Sequence, residues 1–262
     1  MQIEDYLNGR VLPLEDYQEY LEEWLNGLKH EMNFWSRWFD TKGLEWPDEY
    51  SSRTKGNRKF QYEHLVNKKE TKLLDVGSGP CTLIGTLSDN IKLDITAVDP
   101  LAYAYNRLID EHSIILKVRS KFGMVERLED SLEENSFDIV HMQDALDHSY
   151  NPLIGISKMI YVAKVGGKII LNHANNEAEN EHYSGLNQWN FEVKDDVFWI
   201  WRKDIRINVY ELFKEYVDAK FFVYDLAHTV EFTKKNVIPL FKDKFAGIYN
   251  EKVFSGLLEL LY

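Results

Sequence analysis

The spacing of apolar residues changes twice along the chain. Near the start, apolar side chains recur every three or four positions, which predicts an amphipathic helix. Its apolar positions are Tyr17, Leu21, Leu25, Leu28, Met32, Trp35 and Phe39. From about residue 70 to 175, short apolar runs alternate with helical spacing, which favours a parallel sheet covered on both faces. Beyond residue 176, alternating runs predict an antiparallel ribbon and a closing pair of strands. Strands are predicted at 122–125, 197–201, 205–209, 221–226 and 229–232.

Residues 41–60 interrupt the helical spacing and carry a basic set, Arg53, Lys55, Arg58 and Lys59. A solvated loop is one interpretation, because runs of charge usually face solvent. The other is a lid on which Arg53 and Arg58 contact a phosphate or carboxylate of a substrate. We therefore divide the chain into a helical cap with a lid loop, residues 1–60, and a sheet domain, residues 61–262, which contains an insertion at about 176–215.

Composition limits the class of protein. The 262 residues are 44% hydrophobic, with 14 Phe, 15 Tyr and 7 Trp, which suffices for one large domain with a sizeable core. A single cysteine rules out an internal disulfide and favours a reducing compartment, so we expect a cytoplasmic protein. We expect neither a signal peptide nor a membrane span, since no suitable apolar run is present. The net charge of −12 argues against nucleic acid as the main partner.

A glycine turn follows an apolar strand at residues 73–76. Asp75 precedes Gly77, Ser78 and Gly79, and a second apolar strand, 95–98, ends on Asp99. The glycines allow a sharp turn that approaches a ligand closely, and Asp99 is placed to accept hydrogen bonds from two ribose hydroxyls. A third glycine, which the dinucleotide fingerprint needs, is replaced by Thr82. This substitution disfavours a nicotinamide-dependent oxidoreductase.

Asp75-Val76-Gly77-Ser78-Gly79 resembles motif I of class I S-adenosylmethionine methyltransferases, [DE]-x-G-x-G. Phe137–Gln143 is similar to the family's fourth strand, 144–148 to the loop after it, and 164–171 to the K-x-G-G turn and fifth strand. Asn151-Pro152 predicts the start of the intervening helix. The resemblance covers residues 70–175 and implies an α/β fold. This fold is a Rossmann-like, seven-stranded, mostly parallel sheet with helices on both faces, an antiparallel C-terminal hairpin and an N-terminal helical cap.

The resemblance also implies the cofactor, S-adenosylmethionine, and its product, S-adenosylhomocysteine. The implied cofactor-binding residues are Asp75, Gly77, Ser78, Gly79, Asp99, Pro100, Leu101, Met124, Val125, Glu126 and Gln143. Relatives often carry an acid near the adenine amine at the position of Met124. Its absence leaves that amine to the backbone or to another group.

Methyl transfer is an in-line displacement, and it needs a base when the acceptor must lose a proton. His148, in the loop after strand four, is the first candidate because an ordinary imidazole titrates near neutral pH. His173, after strand five, is the second. Each has a structural alternative: a cap of the next helix for His148 or Asp147, and a hydrogen bond to a backbone carbonyl for His173. The candidate substrate-binding residues are Asp147, Asn172, Tyr183, Trp189, Asn190, Arg53 and Arg58, with core packing an equal alternative for Trp189.

Oxygen-bearing side chains also follow strands four and five, at Asp144, Asp147, Asn172 and Asn175. Such residues could bind Mg²⁺, as in catechol-type O-methyltransferases. Their spacing does not reproduce the pattern of those enzymes, so we expect no metal.

The function implied by the resemblance is a methyltransferase of EC 2.1.1 type that acts on oxygen. Asp147–Ser149 and Gly185–Phe191 resemble a subgroup that modifies surface polysaccharides or their precursors. The expected acceptor is therefore small, or linked to a glycan or nucleotide, such as a sugar hydroxyl or a phosphoramidate in capsule polysaccharide biosynthesis. A non-catalytic cofactor-binding partner of another methyltransferase is the alternative. Monomer and homodimer both stay open.

Overall fold

A computed structural model describes residues 14–203 and 205–241, and its centre is a seven-stranded sheet. The strands of this sheet are β1 (Glu70–Val76), β2 (Lys92–Asp99), β3 (Lys121–Phe122), β4 (Phe137–Gln143), β5 (Ala163–Ala174), β9 (Val217–Val223) and β10 (Ala227–Lys234). Their order is β3-β2-β1-β4-β5-β10-β9. The first five are parallel, whereas β10 runs antiparallel to both β5 and β9. The predicted Rossmann-like fold with an antiparallel C-terminal hairpin is confirmed.

Helices and a second, smaller sheet complete the fold. The antiparallel strands β6 (Asn190–Lys194), β7 (Val197–Arg202) and β8 (Ile205–Asn208) form that sheet. The helices are α1 (Leu14–Asp40), α2 (Pro47–Thr54), α3 (Ala102–Glu111), α4 (Pro152–Val162), α5 (Glu177–Asn180) and α6 (Val209–Phe213). Short 3₁₀ turns occur at Glu63–Leu65 and Val125–Asp130. In the described ranges, no helix has the length and apolar character that crossing a membrane requires.

Apolar side chains cover both faces of the main sheet. Neighbouring residues of a strand point to opposite faces. Leu73 accordingly packs with Phe60 and Ile84, whereas Leu74 belongs to the large cluster that contains Ile154 of α4. Leu73 and Leu74 are both fully buried. Burial of one such side chain stabilises the fold by about 2 kcal/mol, which explains why the central strands read as continuous apolar runs.

Helix α4 begins where the sequence predicted. The side-chain oxygen of Asn151 accepts a hydrogen bond from the backbone N–H of Ile154 at 3.2 Å, and Pro152 occupies the first turn. The cap gives a hydrogen-bond acceptor to an N–H of the first turn that would otherwise be unpaired. Proline suits this turn because it has no backbone N–H that needs a partner. This cap fixes the path of the chain directly after the cofactor-side loop.

Several elements differ from the sequence predictions. Strand β5 runs to Ala174, so Asn172 and His173 lie within this strand and not after it. Strand β8 ends at Asn208, and α6 begins at Val209 where strand was predicted. Residues 41–60 include helix α2, because Pro47 starts a helix whose first turn carries Asp48 and Glu49, a favourable arrangement for the helix dipole. Strand β3 is two residues long, and a 3₁₀ turn begins at Val125 where strand was predicted. Strand β9 ends at Val223, earlier than predicted, because the hairpin turn occupies 224–226. The side chain of Tyr17 and the outer parts of the predicted domains, 1–13 and 242–262, lie outside the described residues.

A buried lysine at the end of β10 forms hydrogen bonds to neighbouring elements. The Nζ of Lys234 donates to the Oδ1 of Asn135 at 2.7 Å and to the carbonyl oxygens of Tyr161 at 3.2 Å and Ala163 at 2.9 Å. Burial lowers the pKa of this ammonium to about 8. The three oxygens satisfy all its donors, so β10 is tied to the junction of α4 and β5.

Candidate active site

A cleft of about 820 Å³ opens over the carboxyl ends of β1, β2 and β4. In open α/β sheets this edge is where ligands bind, and the volume is that of a small-molecule site. Its walls come from α1, from α2, from the turn after β1 and from the loop 184–187. Residues far apart in sequence therefore meet in one place.

The turn after β1 requires its glycines. Gly77 and Gly79 both have a φ of +61°, in the left-handed region that favours glycine. A Cβ on Gly77 would lie 2.5 Å from the Cβ of Ala145. The N–H of Gly79 donates to the Oδ2 of Asp99 at 3.0 Å. The turn is thus packed against the β4 loop on one side and bonded to β2 on the other.

Asp75 supports this turn from below. It is buried, with its Oδ1 2.7 Å from the Nδ1 of His141, and its Oδ2 accepts from the hydroxyl of Thr82. Asp75 does not line the cleft. The arrangement makes it a support of the turn, and its predicted contact with the cofactor stays a prediction. His141 and Thr82 were not predicted as site residues, because their support of the turn depends on this contact with Asp75.

Asp99 ends β2 inside the cleft. Its Oδ1 accepts from the N–H of Leu101 at 2.8 Å, and only 6% of the residue is exposed. Burial raises the pKa of this carboxyl to about 7, although the two backbone N–H groups oppose the rise. A carboxylate offers about four acceptor sites, of which these amides use two. Two sites therefore remain for a pair of neighbouring hydroxyls, as on a ribose.

The other predicted cofactor-side residues line the same cleft. They are Ser78, Pro100, Leu101, Met124, Val125, Glu126 and Gln143. The Oγ of Ser78 lies 2.7 Å from that of Ser120, and the Oε1 of Glu126 accepts from the N–H of Asn151 at 3.1 Å. The structure brings these residues together around one space, and their individual cofactor contacts stay predictions.

Helix α1 contributes a carboxylate and a ring that were not predicted as site residues. The Oε1 of Glu31 accepts from the Nε1 of Trp35 at 2.6 Å and from the hydroxyl of Tyr105 at 3.5 Å. Trp35 lies over the glycine turn, since its Cζ2 is 3.5 Å from the place where a Cβ of Gly79 would stand. The sequence signal was present: Glu31 lies one turn before Trp35 and three residues after Leu28, on the apolar face of the helix.

His148 faces the cleft with 25% of its side chain exposed. Its Nε2 lies 2.9 Å from the Oδ1 of Asn187 and 3.4 Å from the Oδ2 of Asp147. Burial lowers the pKa of the imidazole, but the carboxylates of Asp147 and Glu31 outweigh this effect and raise the pKa to about 9. The ligand-free protein therefore carries His148 as a cation at neutral pH.

His173 lies beneath the cleft. It is buried, stacks on the ring of Phe191 at 4.7 Å between centroids, and places its Nδ1 3.9 Å from the Oδ1 of Asp147. Burial holds the pKa of His173 well below its ordinary value, so this imidazole is neutral. Burial also raises the pKa of Asp147, which His148 opposes. Because His173 does not line the cleft, the base is assigned to His148 below.

Arg53 lines the cleft, but its charge is compensated. Glu49 pairs with Arg53 at 2.9 Å and with Arg58 at 3.2 Å. The guanidinium of Arg53 also stands 5.3 Å from the ring centroid of Trp35. An acceptor phosphate would have to compete with Glu49 for these arginines, and Arg58 lies outside the cleft lining.

The remaining predicted substrate residues belong to the framework. The Nδ2 of Asn172 donates to the hydroxyl of Tyr62 at 2.7 Å, and that of Asn190 donates to the hydroxyl of Tyr183 at 3.1 Å. Trp189 is buried in the main core. None of Asn172, Asn190, Tyr183 and Trp189 lines the cleft, and neither does Asp147.

Negative charge dominates the lining of the cleft. The acids that line it are Glu31, Glu49, Asp99, Glu126, Asp144, Glu177 and Glu181, and the basic residues are His30, Arg53 and His148. Burial raises the pKa of Glu177 to about 7, with Asp147 and Asp144 adding to the rise. Within residues 14–203 and 205–241, no group of three or more acids, histidines or cysteines could hold a metal ion. Such a lining attracts a positively charged ligand.

Comparison with known proteins identifies the class. The sequence profile of a family described as "Methyltransferase domain" matches residues 67–244, well over half of the chain. The chain belongs to this family. It is a methyltransferase of EC 2.1.1 type, and its methyl donor is S-adenosylmethionine. No curated protein sequence matches the chain.

Solved structures of low sequence identity resemble the chain. One, from Methanococcus maripaludis, was solved as a candidate S-adenosyl-L-methionine-dependent methyltransferase. Its sequence is 17% identical to this chain. The alignment covers 76% of this chain and 94% of that chain, with a TM-score of 0.47. A SAM-dependent methyltransferase from Aquifex aeolicus is 16% identical, with 65% and 85% covered and a TM-score of 0.42. Phosphoethanolamine N-methyltransferase 2 of Haemonchus contortus, in complex with S-adenosyl-L-methionine, is 15% identical, with 68% and 51% covered and a TM-score of 0.47.

The cleft fits this donor chemically. S-adenosylmethionine carries a ribose diol and, with its sulfonium, ammonium and carboxylate, a net charge of +1. Asp99 has acceptor sites left for the diol, and the lining supplies the opposite charge. When bound, the donor supplies a methyl group activated by its attachment to a sulfonium.

Proposed function

We propose that the protein methylates a hydroxyl group of a small, uncharged acceptor, with His148 as the general base. The observation that carries this proposal is the placement of His148 in the cleft, where Asp147 and Asn187 both contact its Nε2. The acceptor class we favour is a sugar hydroxyl, as in a polysaccharide precursor, and we place the reaction in the cytoplasm.

A hydroxyl acceptor needs a base, because its proton must leave as the methyl group arrives. Since both contacts of the imidazole use Nε2, the Nδ1 of His148 is the nitrogen left for the substrate proton. Asp147 stabilises the imidazolium that forms, and Asn187 holds the ring in place. The base must first be neutral. The positive sulfonium entering the same cleft lowers the pKa of His148, so the donor complex is the form in which the base can act.

The charge of the lining favours an uncharged acceptor over a phosphorylated one. Arg53 and Arg58 are both engaged by Glu49, and Glu181 adds negative charge at the cleft. A nucleotide-linked acceptor or a phosphoramidate would be repelled by these carboxylates, and it would have to displace Glu49 to bind Arg53 or Arg58. At the mouth, Phe34 and Trp46 are 45% and 54% exposed, and exposed apolar patches of this kind mark ligand-binding grooves.

The proposal is tested by supplying S-adenosylmethionine with a deuterated methyl group to three acceptor sets: neutral glycosides, their nucleotide-linked forms and small amines. Mass spectrometry then locates the label. We expect the label on a hydroxyl of a neutral glycoside and a loss of about 100-fold or more in kcat for His148→Gln. His64→Gln, at an exposed histidine outside the cleft, is the matched control and should retain wild-type activity. Labelled amines without labelled hydroxyls, or full activity of His148→Gln, would overturn the proposal.

A further inference from the structure

Glu31 is a carboxylate that the cap helix α1 holds inside the cleft between two aromatic rings. The rings of Trp35 and Tyr105 are 6.2 Å apart between centroids, and both donate to the Oε1 of Glu31. Both hydrogen bonds come from neutral groups, an indole N–H and a phenol O–H. These bonds fix the position of the carboxylate without cancelling its charge.

Four of the other six acids of the lining are engaged differently. Glu49 pairs with two arginines, and both oxygens of Asp99 accept backbone N–H groups. Glu126 accepts the N–H that precedes α4. Burial raises the pKa of Glu177 to about 7, so its charge is partial at neutral pH. Glu31 is therefore a carboxylate held by neutral donors in an aromatic setting, and this combination attracts onium cations through both Coulomb and cation–π terms.

Glu31 lies within electrostatic reach of both functional ends of the cleft. Its charge contributes to the raised pKa of Asp99 and to that of His148. It is also bonded to Tyr105 of α3, the helix that directly follows Asp99. We therefore expect a donor that spans from Asp99 toward His148 to bring its charged segment close to this carboxylate.

We propose that Glu31 is a specificity-determining residue through which the cleft distinguishes S-adenosylmethionine from S-adenosylhomocysteine. In the reaction the C–S bond of the donor breaks and an O–C bond forms, the sulfonium becomes a neutral thioether, and the hydroxyl proton passes to the base. The ligand thereby loses one positive charge while keeping its shape. Glu31 attracts the positively charged S-adenosylmethionine, and this attraction is lost when the methyl group leaves. The loss favours replacement of bound S-adenosylhomocysteine by S-adenosylmethionine.

Isothermal titration calorimetry with both ligands tests this inference without any acceptor. Glu31→Gln keeps an oxygen that can accept from Trp35, so it removes the charge with little change in shape. We expect its affinity for S-adenosylmethionine to fall about tenfold, about 1.4 kcal/mol, and its affinity for S-adenosylhomocysteine to stay within about threefold of the wild type. Glu45→Gln, an exposed acid outside the cleft, should change neither value.

Two results would overturn the inference. Equal weakening of both ligands by Glu31→Gln would mean that the residue contacts a shared part of the ligand or only holds the helix. Unchanged affinity for both ligands would mean that the charge of Glu31 does not contribute to their binding. Thermal unfolding of both variants shows that folding is intact. The outcome is independent of the acceptor proposal, because a wrong acceptor class leaves the donor affinities as they are.

Discussion

Replacement of Asp147 by Asn should convert His148 from a cation into a neutral imidazole at pH 8. Asp147 is buried beside the Nε2 of His148 and is the main group that raises the pKa of that histidine against the effect of burial. The asparagine keeps the size of the side chain and removes the charge. We therefore expect the pKa of His148 to fall by about two units or more.

The size of the effect follows from the geometry. A pKa of about 9 against an ordinary value of 6.5 corresponds to about 3 kcal/mol in favour of the charged form. Two unit charges at 3.4 Å interact with about 5 kcal/mol at an effective dielectric constant of about 20. The contribution of Asp147 thus exceeds the whole net preference for the charged form. Without it, burial dominates, and the remaining groups that favour the cation are Glu31, the hydrogen-bonded Asn187 and Glu177.

The pKa can be read from the imidazole Cε1 proton by NMR over a titration from about pH 5 to about pH 10, which covers both expected values. His148→Gln identifies the signal by its disappearance. The wild-type signal should titrate near pH 9, and that of Asp147→Asn near or below pH 7. A wild-type midpoint near 6.5, or the same midpoint in both proteins, would refute the reasoning. Circular dichroism of the variant confirms that the fold is kept.

Three further outcomes are expected. Gly77→Ala should abolish donor binding and lower the unfolding midpoint, because its Cβ would lie 2.5 Å from that of Ala145; retained binding in a calorimetric titration would contradict this packing. Affinity for S-adenosylmethionine should fall as the pH drops below about 7, since protonated Asp99 loses its charged acceptor oxygens. Calorimetry at about pH 8 and about pH 6 measures this change. Equal affinities at the two pH values would mean that Asp99 does not hold the ribose. Cys81 should resist a thiol reagent at pH 8 until the protein unfolds, because burial raises its pKa to about 12; rapid labelling of the folded protein would disprove this.

The parts of the fold that the sequence predicted are those with local signals. The glycine turn at Gly77 and Gly79, the acid Asp99 and the cap at Asn151 each show in a few adjacent residues. Helix α2 was missed for a physical reason: it has no buried residue, so its eight positions carry no apolar period to detect.

The parts of the site that were missed depend on contacts between distant residues. Glu31 and Tyr105 are 74 positions apart, and His148 and Asn187 are 39 positions apart. No local pattern marks such a pair. The predicted substrate residue Asn172 lies near the end of β5 and Asn190 begins β6. Their amides bond to the hydroxyls of Tyr62 and Tyr183, and neither residue lines the cleft. Chain position predicted both residues at the site, whereas the direction of their side chains keeps them out of the cleft lining; their contact with a substrate stays a prediction.

The order of the strands in the sheet determines when the sheet can be completed during synthesis of the chain. Strand β10 is the last of the described strands to be made, yet it lies between β5 and β9. Until residue 234 has left the ribosome, β5 has an open edge whose backbone groups can pair with another chain. The carbonyl oxygens of Tyr161 and Ala163 also lack their hydrogen bonds from Lys234 until that residue has been synthesised. The nascent chain is therefore most exposed to aggregation between the emergence of β5 and that of β10.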